Sequence, residues 1–500
     1  MTEPGATQRF YRAPCPACGA PVEFRSAQST HAVCAYCQST VVRDGEALKR
    51  IGKMAELFDD HGLLQLGASG RIDGQGFQLV GRLQYRYDEG TWNEWHALLA
   101  DGAGAWLSED NGAYVFSRPV DAPARAVPAA ERFRVGATTA LNGQQYAVTS
   151  NVTATLIAAQ GELPRLPPLG QPFAVVELRT QGGDASAQRV FSVDYGSEPP
   201  TLSEGRAVEL AALAMSGLKA ESGQESRGRQ FACPHCGSPV APKLDSTKSI
   251  TCPQCNSLID MSAGIGGELA HAVQDEPVRP LIPLGTVGML EGVSWQVVGF
   301  QHRLGQSPGD DESFGWQEYL LYNAQKGFSF LVDAEDGWSF VRPLTGAPRL
   351  SSGDRRAEYD QASYTQQWAY RAETSYALGE FYWQVRRGQV THNRDYATGD
   401  RLLSSEQSGS EITWSGGRKI AAQAVASAFR LAGKKDLFQR ADAQPFSAAP
   451  SVSIGTVIIV LVVILILLSL MSRCSFQVTG GGGRTTGGSF GGYSSGGGHK

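Results

Sequence analysis

Cys15-Pro16-Ala17-Cys18 with Cys34-Ala35-Tyr36-Cys37, and Cys233-Pro234-His235-Cys236 with Cys252-Pro253-Gln254-Cys255, are two copies of one frame, C-x2-C-x15-C-x2-C. Each cysteine of the second frame lies 218 positions after its counterpart in the first. The repeat implies two things: the chain binds metal twice, and the unit around the metal has been duplicated.

A C-x-x-C pair on a tight turn points two sulfurs at one ion, and about fifteen intervening residues allow a short hairpin to return with the second pair. Pro inside the turn and Gly after its second Cys (Gly19, Gly237) suit the bent backbone. Four thiolates complete the tetrahedron that structural zinc prefers and leave no position for an activated water. Two structural Zn ions are therefore expected, held by Cys15, Cys18, Cys34 and Cys37 and by Cys233, Cys236, Cys252 and Cys255. Such an ion contributes on the order of 10 kcal/mol to folding. Disulfides suit the paired knuckles less well than metal does, and a redox C-x-x-C normally stands alone near a βαβ pattern. His31 and His235 lie within the frames but are surplus to a four-cysteine site.

The duplication continues beyond the cysteines. At the same offset Gly67, Gly74, Phe77, Val80 and Gly81 meet Gly285, Gly292, Trp295, Val298 and Gly299. Six extra residues near Ser307–Glu312 then shift the offset to 224, so that Trp92-Asn93-Glu94-Trp95 meets Trp316-Gln317-Glu318-Tyr319. Later the offset returns to 218, where Tyr146 meets Tyr364 and Gly161-Glu162-Leu163 meets Gly379-Glu380-Phe381.

A fainter repeat lies inside the first half: apolar-Gly, six residues, Gly, two residues, aromatic, at 66–77 and again at 135–146. Asp73-Gly74 and Asn142-Gly143 are hairpin-turn pairs. The alternating runs that follow read as strands. The expected fold is mainly β: two zinc ribbons (11–44 and 229–262), each followed by small antiparallel β-barrel or sandwich-like modules with a closing helix (60–220 and 280–435). No Gly pair stands near Tyr364, so the second module of the second half reads as eroded. Helical spacing predicts a linker helix over Glu46–Asp59 and closing helices over Arg206–Lys219 and Arg418–Gly433, with Ser203 and Ser415 as N-caps.

Residues 436–451 read as a linker. Val452–Met471 is uncharged and rich in Val, Ile and Leu; as a helix it would measure about 30 Å, the thickness of a bilayer core. It is expected to span the membrane once. Arg430, Lys434, Lys435 and Arg440 lie before it and only Arg473 lies close behind, so the N-terminal domains are placed in the cytoplasm and the tail outside. Thiolate zinc and the absence of an N-terminal leader agree with a reducing compartment. Residues 472–500, Gly/Ser-rich, read as a disordered tail, with Cys474 just beyond the span.

Net charge is −5, and residues 1–60 balance seven basic against seven acidic residues, which argues against a nucleic-acid partner. Such a partner would need a basic face near Arg12, Arg25 and Arg43. No Walker loop, H-E-x-x-H or dinucleotide fingerprint occurs, and Gly487–Gly491 matches G-x-S-x-G only within low-complexity sequence. Glu94 and Glu318 are the candidate acids. On a strand, Trp92 and Glu94 share one face and Trp95 takes the other. A carboxylate against Trp could be a general acid; the plainer reading is a packed strand with Glu at its rim or paired to an arginine such as Arg118.

The glycine and aromatic order at Gly67, Gly74, Phe77, Gly81, Trp92, Glu94, Trp95 and Trp106, and again at Gly285, Gly292, Trp295, Gly299, Trp316, Glu318, Tyr319 and Phe330, resembles a bacterial family catalogued as domain of unknown function 4178. The resemblance covers most of 60–215 and 280–430 and implies a prokaryotic source and a small β fold. It supplies no activity. The resulting expectation is a non-enzymatic scaffold at the inner membrane that engages a membrane-associated protein. Its candidate surface is Trp92, Glu94, Trp95, Trp106, Trp316, Glu318, Tyr319 and Phe330. The alternative is a sensor that holds a small ligand among those aromatics.

Overall fold

The structure is a computed structural model. It describes residues 11–431 and 433, except 27, 45–46, 54–62, 89, 111–112, 121–126, 142, 183–187, 220–229, 245–246, 262–268, 275–277, 310–312 and 352. The first half contains β1 (Tyr11–Pro14), β2 (Pro21–Phe24), β3 (His31–Val33), β4 (Ser39–Asp44), β5 (Ala47–Lys53), β6 (Ser69–Ile72), β7 (Gln75–Tyr87), β8 (Gly90–Leu99), β9 (Gly104–Asp110), β10 (Ala113–Val120), β11 (Thr138–Leu141), β12 (Gln144–Leu163), β13 (Pro172–Thr180), β14 (Val190–Asp194) and β15 (Thr201–Val208). The second contains β16 (Phe231–Ala232), β17 (Pro239–Val240), β18 (Ser249–Thr251), β19 (Leu258–Asp260), β20 (His271–Ala272), β21 (Val287–Leu290), β22 (Val293–Gln306), β23 (Ser313–Asn323), β24 (Gly327–Ala334), β25 (Gly337–Leu344), β26 (Arg349–Ser351), β27 (Arg356–Tyr359), β28 (Ala362–Phe381), β29 (Val390–Thr398), β30 (Arg401–Gln407), β31 (Ile412–Ile420) and the helix α1 (Ala422–Ala428).

In each half the two β modules share one closed barrel. The first runs β12-β13-β14-β15-β10-β9-β8-β7 and closes by pairing β12 with β7. The second runs β28-β29-β30-β31-β25-β24-β23-β22 and closes by pairing β28 with β22. Closure removes the free edges that an open sheet would expose. The seam of each barrel is a glycine pair, Gly81 opposite Gly161 and Gly299 opposite Gly379. A Cβ on Gly81 would stand 2.1 Å from the Glu162 carbonyl oxygen, and Gly161 has φ +74°. Only glycine lets the two long strands cross this closely.

The faint internal repeat is the two-fold logic of the barrel. Hairpin β6–β7 opens one module and hairpin β11–β12 the other. Both long strands carry a bulge, between Leu79 and Gly81 and between Val148 and Ser150. One extra residue reverses which face the following side chains occupy. Phe77 and Leu79 therefore join one core with Trp95, Leu107 and Phe116, whereas Leu83 and Tyr85 enter a second with Trp92, Trp106, Val152 and Leu156. Tyr146 and Val148 line the third, with Val176, Leu178 and Phe191. The second half repeats this division.

Several local expectations change. Residues 47–53 form a strand, not a helix, because β4 offers a ladder to Leu48–Lys53; Ala55 and Phe58 of that expected linker helix lie outside the described residues. Arg206–Val208 completes the ladder opposite Tyr114–Phe116, and only a 3-10 turn, Leu210–Leu213, follows. In the second half β31 continues to Ile420 before α1 begins. Ser203 and Ser415 are strand residues paired with Pro119 and Pro343, so neither caps a helix. In each case ladder hydrogen bonds between long strands outweigh a helical period of Ala and Leu. The second module of the second half is also intact. Asp360 and Gln361, with φ +47° and +59°, make the two-residue turn between Tyr359 and Ala362 that glycine was expected to supply. The expected membrane span, 452–471, and the tail with Cys474 lie outside the described residues; among the described residues no helix is long and apolar enough to cross a membrane.

Candidate metal centres and their anchorage on the barrels

Four knuckles of one design hold the eight cysteines. The amide after each second cysteine folds back on the first: Gly19 N donates to Cys15 O at 2.8 Å, Gln38 N to Cys34 O at 2.9 Å, Gly237 N to Cys233 O at 2.9 Å and Asn256 N to Cys252 O at 3.0 Å. All four of these residues are left-handed, with φ +77°, +59°, +74° and +58°. Gln38 therefore sits where glycine or asparagine is easier.

The knuckles bring the sulfurs together. Sγ separations are 3.7 Å for Cys15–Cys37, 3.7 Å for Cys18–Cys34, 3.7 Å for Cys233–Cys255 and 3.8 Å for Cys236–Cys252. In each group all four sulfurs lie within 4.8 Å of one another, so each can hold one metal ion. Cys15, Cys34, Cys233 and Cys252 are buried, while Cys18 and Cys236 are exposed. Val22, Phe24, Ala32 and Val41 form the apolar floor of the first site. No histidine belongs to either group among the described residues. His235 is one step removed: its Nδ1 lies 3.1 Å from Ser257 Oγ, which accepts from Cys255 Sγ at 3.3 Å.

Each ribbon is fastened to its barrel by the residue after the seam glycine. The Glu162 carboxylate accepts from Arg25 N at 2.6 Å and Ser26 N at 3.1 Å, while β3 pairs with Gly161–Leu163. The Glu380 carboxylate accepts from Lys243 N at 3.0 Å, Leu244 N at 2.9 Å and Thr247 Oγ1 at 2.7 Å, while β18 pairs with Glu380 and Phe381. Burial raises the pKa of Glu162 and the two backbone donors oppose that rise. His96 Nδ1 lies 3.1 Å from the Glu162 carbonyl, and burial lowers the His96 pKa to about 4, so its ring is neutral. The Gly-Glu pairs were visible in the sequence as a recurrence at fixed offset. Their role was not, because their partners lie 137 and 136 residues away.

The aromatic and acidic candidates are all interior. Trp92, Glu94, Trp95, Trp106, Trp316, Glu318, Tyr319 and Phe330 are each at most 6% exposed, so neither a partner nor a ligand could reach them without opening a barrel. As expected of a strand, Trp92 and Trp95 enter different cores. Glu94 lies beside Trp92, whose Nε1 is 3.4 Å from Glu94 Oε1. Arg118 is elsewhere and donates to Gln75. In the second half Trp316 Nε1 donates to Glu318 Oε1 at 2.6 Å. Arg303 donates two bonds of 3.1 Å to Glu406 and lies 3.8 Å from Glu318. Burial pushes the Glu318 pKa up to about 8; Arg303 opposes the rise and the neighbouring Glu406 adds to it.

In the first barrel the arginine comes from the segment after β12 instead of from a strand. Asp194 stands opposite Val175 as Glu406 stands opposite Asn393, and it accepts from Arg165 at 2.6 Å. Where the second barrel has Arg303 and Trp383, the first has Tyr85 and Arg165 at the matching offset. The arginine and the aromatic have exchanged places at these two offset positions. Arg12 and Arg25 lie near Glu23, and Arg43 stacks on Tyr11, so these arginines are engaged locally.

Comparison with curated proteins and with solved structures gives no match. A family model matches residues 65–210 and again residues 283–422, together more than half of the chain. Both matches begin just before the β6–β7 and β21–β22 hairpins and end at the turn or helix that closes the barrel. The chain thus belongs to the family described as domain of unknown function (DUF4178) and carries two copies of it in tandem, each behind its own four-cysteine ribbon.

Proposed function

We propose that the chain is a zinc-stabilised, non-enzymatic scaffold that presents two barrels to a protein partner at the cytoplasmic face of a bacterial inner membrane, tethered through 452–471. The observation that carries the reading is the pair of four-thiol clusters. Zinc–thiolate bonds of about 2.3 Å in a tetrahedron require sulfur separations of about 3.8 Å; two sulfur pairs in each cluster stand at 3.7–3.8 Å and all four sulfurs lie within 4.8 Å. Zinc fits this all-sulfur set, and with four protein ligands it serves to fold the ribbon.

Two similar barrels on one tether favour avidity for a repeated or dimeric partner. The tether rests on the apolar run and its flanking charges. The test has two arms. Metal analysis of the purified chain should return two zinc ions, with one lost on replacing Cys15 and Cys18 by serine. Fractionation should find the full chain in the membrane and a chain ending at residue 451 outside it, and cross-linking in the membrane should trap one specific protein. A chain with no stoichiometric zinc, or one that fractionates identically with and without 452–471, refutes the corresponding half of the reading.

A further inference from the structure

The two barrels meet directly. Gly182 N donates to Ala347 O at 2.9 Å, Arg179 Nη1 to Leu344 O at 3.1 Å and Asn151 N to Ser410 O at 3.1 Å. Beside these contacts lies a cleft of about 940 Å³ with walls from both halves. That volume is typical of small-molecule sites.

One wall carries a row of polar side chains set by strand register. Gln306 pairs with Arg371, Arg371 with His392, and His392 with Gln407, across β22, β28, β29 and β30. Directly paired residues share a face of the sheet, so all four side chains project on the same side. All four line the cleft. Arg371 and His392 are exposed, and neither side chain has an ion-pair or hydrogen-bond partner among the described residues. Two residues further along β29, Arg394 also lines the cleft and is held there by Asp354 at 3.4 Å. The rest of the wall mixes polar side chains, among them Thr138, Gln181 and Asp354, with apolar ones, Val135 and Ala147 from the first half and Leu350 and Ile412 from the second.

The duplication provides an internal control. Thr153 and Ala174 occupy in the first barrel the positions of Arg371 and His392, and they pair with each other in the same way. The barrel therefore closes without an arginine and a histidine at these positions.

We propose that the cleft between the barrels binds a small organic oxyanion, its phosphate or carboxylate held by Arg371 and His392 and its apolar body against Val135, Ala147 and Ile412. A planar guanidinium matches either oxyanion with two parallel hydrogen bonds. The site is independent of the zinc ribbons and of the tether.

Calorimetric titration of the full-length chain tests the assignment, with phenyl phosphate, benzoate and inorganic phosphate as probes. Saturable binding of phenyl phosphate or benzoate at one site per chain is expected, tighter than that of inorganic phosphate. Arg371→Gln and His392→Asn should each weaken it, the arginine change at least tenfold, while Arg86→Gln on the first barrel should leave it unchanged. Both cleft substitutions are at exposed side chains, and an unaltered melting temperature confirms that each variant is folded. Absence of saturable binding, equal affinity in Arg371→Gln, an equal loss in Arg86→Gln, or inorganic phosphate binding as tightly as the organic anions would overturn the proposal.

Discussion

Replacing Glu380 by alanine should release the second ribbon from its barrel without unfolding either. The carboxylate accepts from Lys243 N, Leu244 N and Thr247 Oγ1 at 2.7–3.0 Å. Hydrogen bonds to a charged acceptor are each worth about 1.5–3 kcal/mol net. Lys243 is exposed and Leu244 half-buried, so both freed amides regain water; Thr247 is buried and does not. About 3 kcal/mol is therefore the expected cost, well below the simple sum. Hydrogen exchange is the suitable assay because it reads local opening. Amides of Lys243, Leu244 and Ser249–Thr251 should exchange on the order of 100-fold faster, since about 1.4 kcal/mol corresponds to tenfold. Arg25 and Ser26 in the first ribbon, anchored by Glu162, are the control within the same molecule and should not change. Zinc content should stay at two, because no cysteine is touched. Unchanged exchange at 243–251, or equal acceleration in both ribbons, would show that the carboxylate does not anchor the ribbon.

Gly81→Ala should destabilise the first barrel by about 3 kcal/mol or more, because its Cβ meets a backbone carbonyl that cannot rotate away; a melting curve matching the parent would refute the seam. Glu318→Gln should flatten the pH dependence of stability. With the folded pKa at about 8 and an unfolded value near the ordinary 4.5, the native state binds the extra proton between those limits. Stability therefore falls as pH rises through that window, a loss that glutamine cannot incur, and denaturation midpoints at pH 5 and pH 8.5 would reveal it. Chelation should unfold the ribbons and spare the barrels. Exchange across residues 31–42 and 249–260 should accelerate, while that of the barrel strands β10 and β25 should not. Gln38→Gly relieves a left-handed side chain and should slow zinc release to a chelator, by about 1 kcal/mol in barrier if the strain is fully relieved.

How far the chain could be read depends on the distance over which each feature is encoded. The metal sites were legible to the residue, because a knuckle is a turn of five residues and its chemistry is local. The hairpins at Asp73-Gly74 and at 142–143 were legible for the same reason, and Gly74 and Gly143 have the expected φ of +79° and +81°. The turn at Asp360-Gln361 was missed because its left-handed backbone is imposed by the strands on either side rather than invited by glycine. Two of the three expected helices failed, and the third shortened to α1 (Ala422–Ala428), where a neighbouring strand completed a ladder that no periodicity could announce. Trp92, Glu94 and their counterparts stood out as a motif, but the motif alone cannot separate an exposed groove from an interior. Burial came from bulges and barrel closure.

The sequence by itself determined the duplication, the two four-cysteine clusters, the predominance of strands and the family, because identity at fixed spacing survives without any knowledge of shape. Only the tertiary structure decided that two modules close into one barrel through a glycine seam, that Glu162 and Glu380 fasten the ribbons, that Arg165 from the segment after β12 and Arg303 from β22 reach equivalent acids, and that Arg371 and His392 face a cleft between the copies. Each of these depends on partners brought together from distant parts of the chain. Such contacts are fixed by register and strand curvature, which no local pattern of residues specifies.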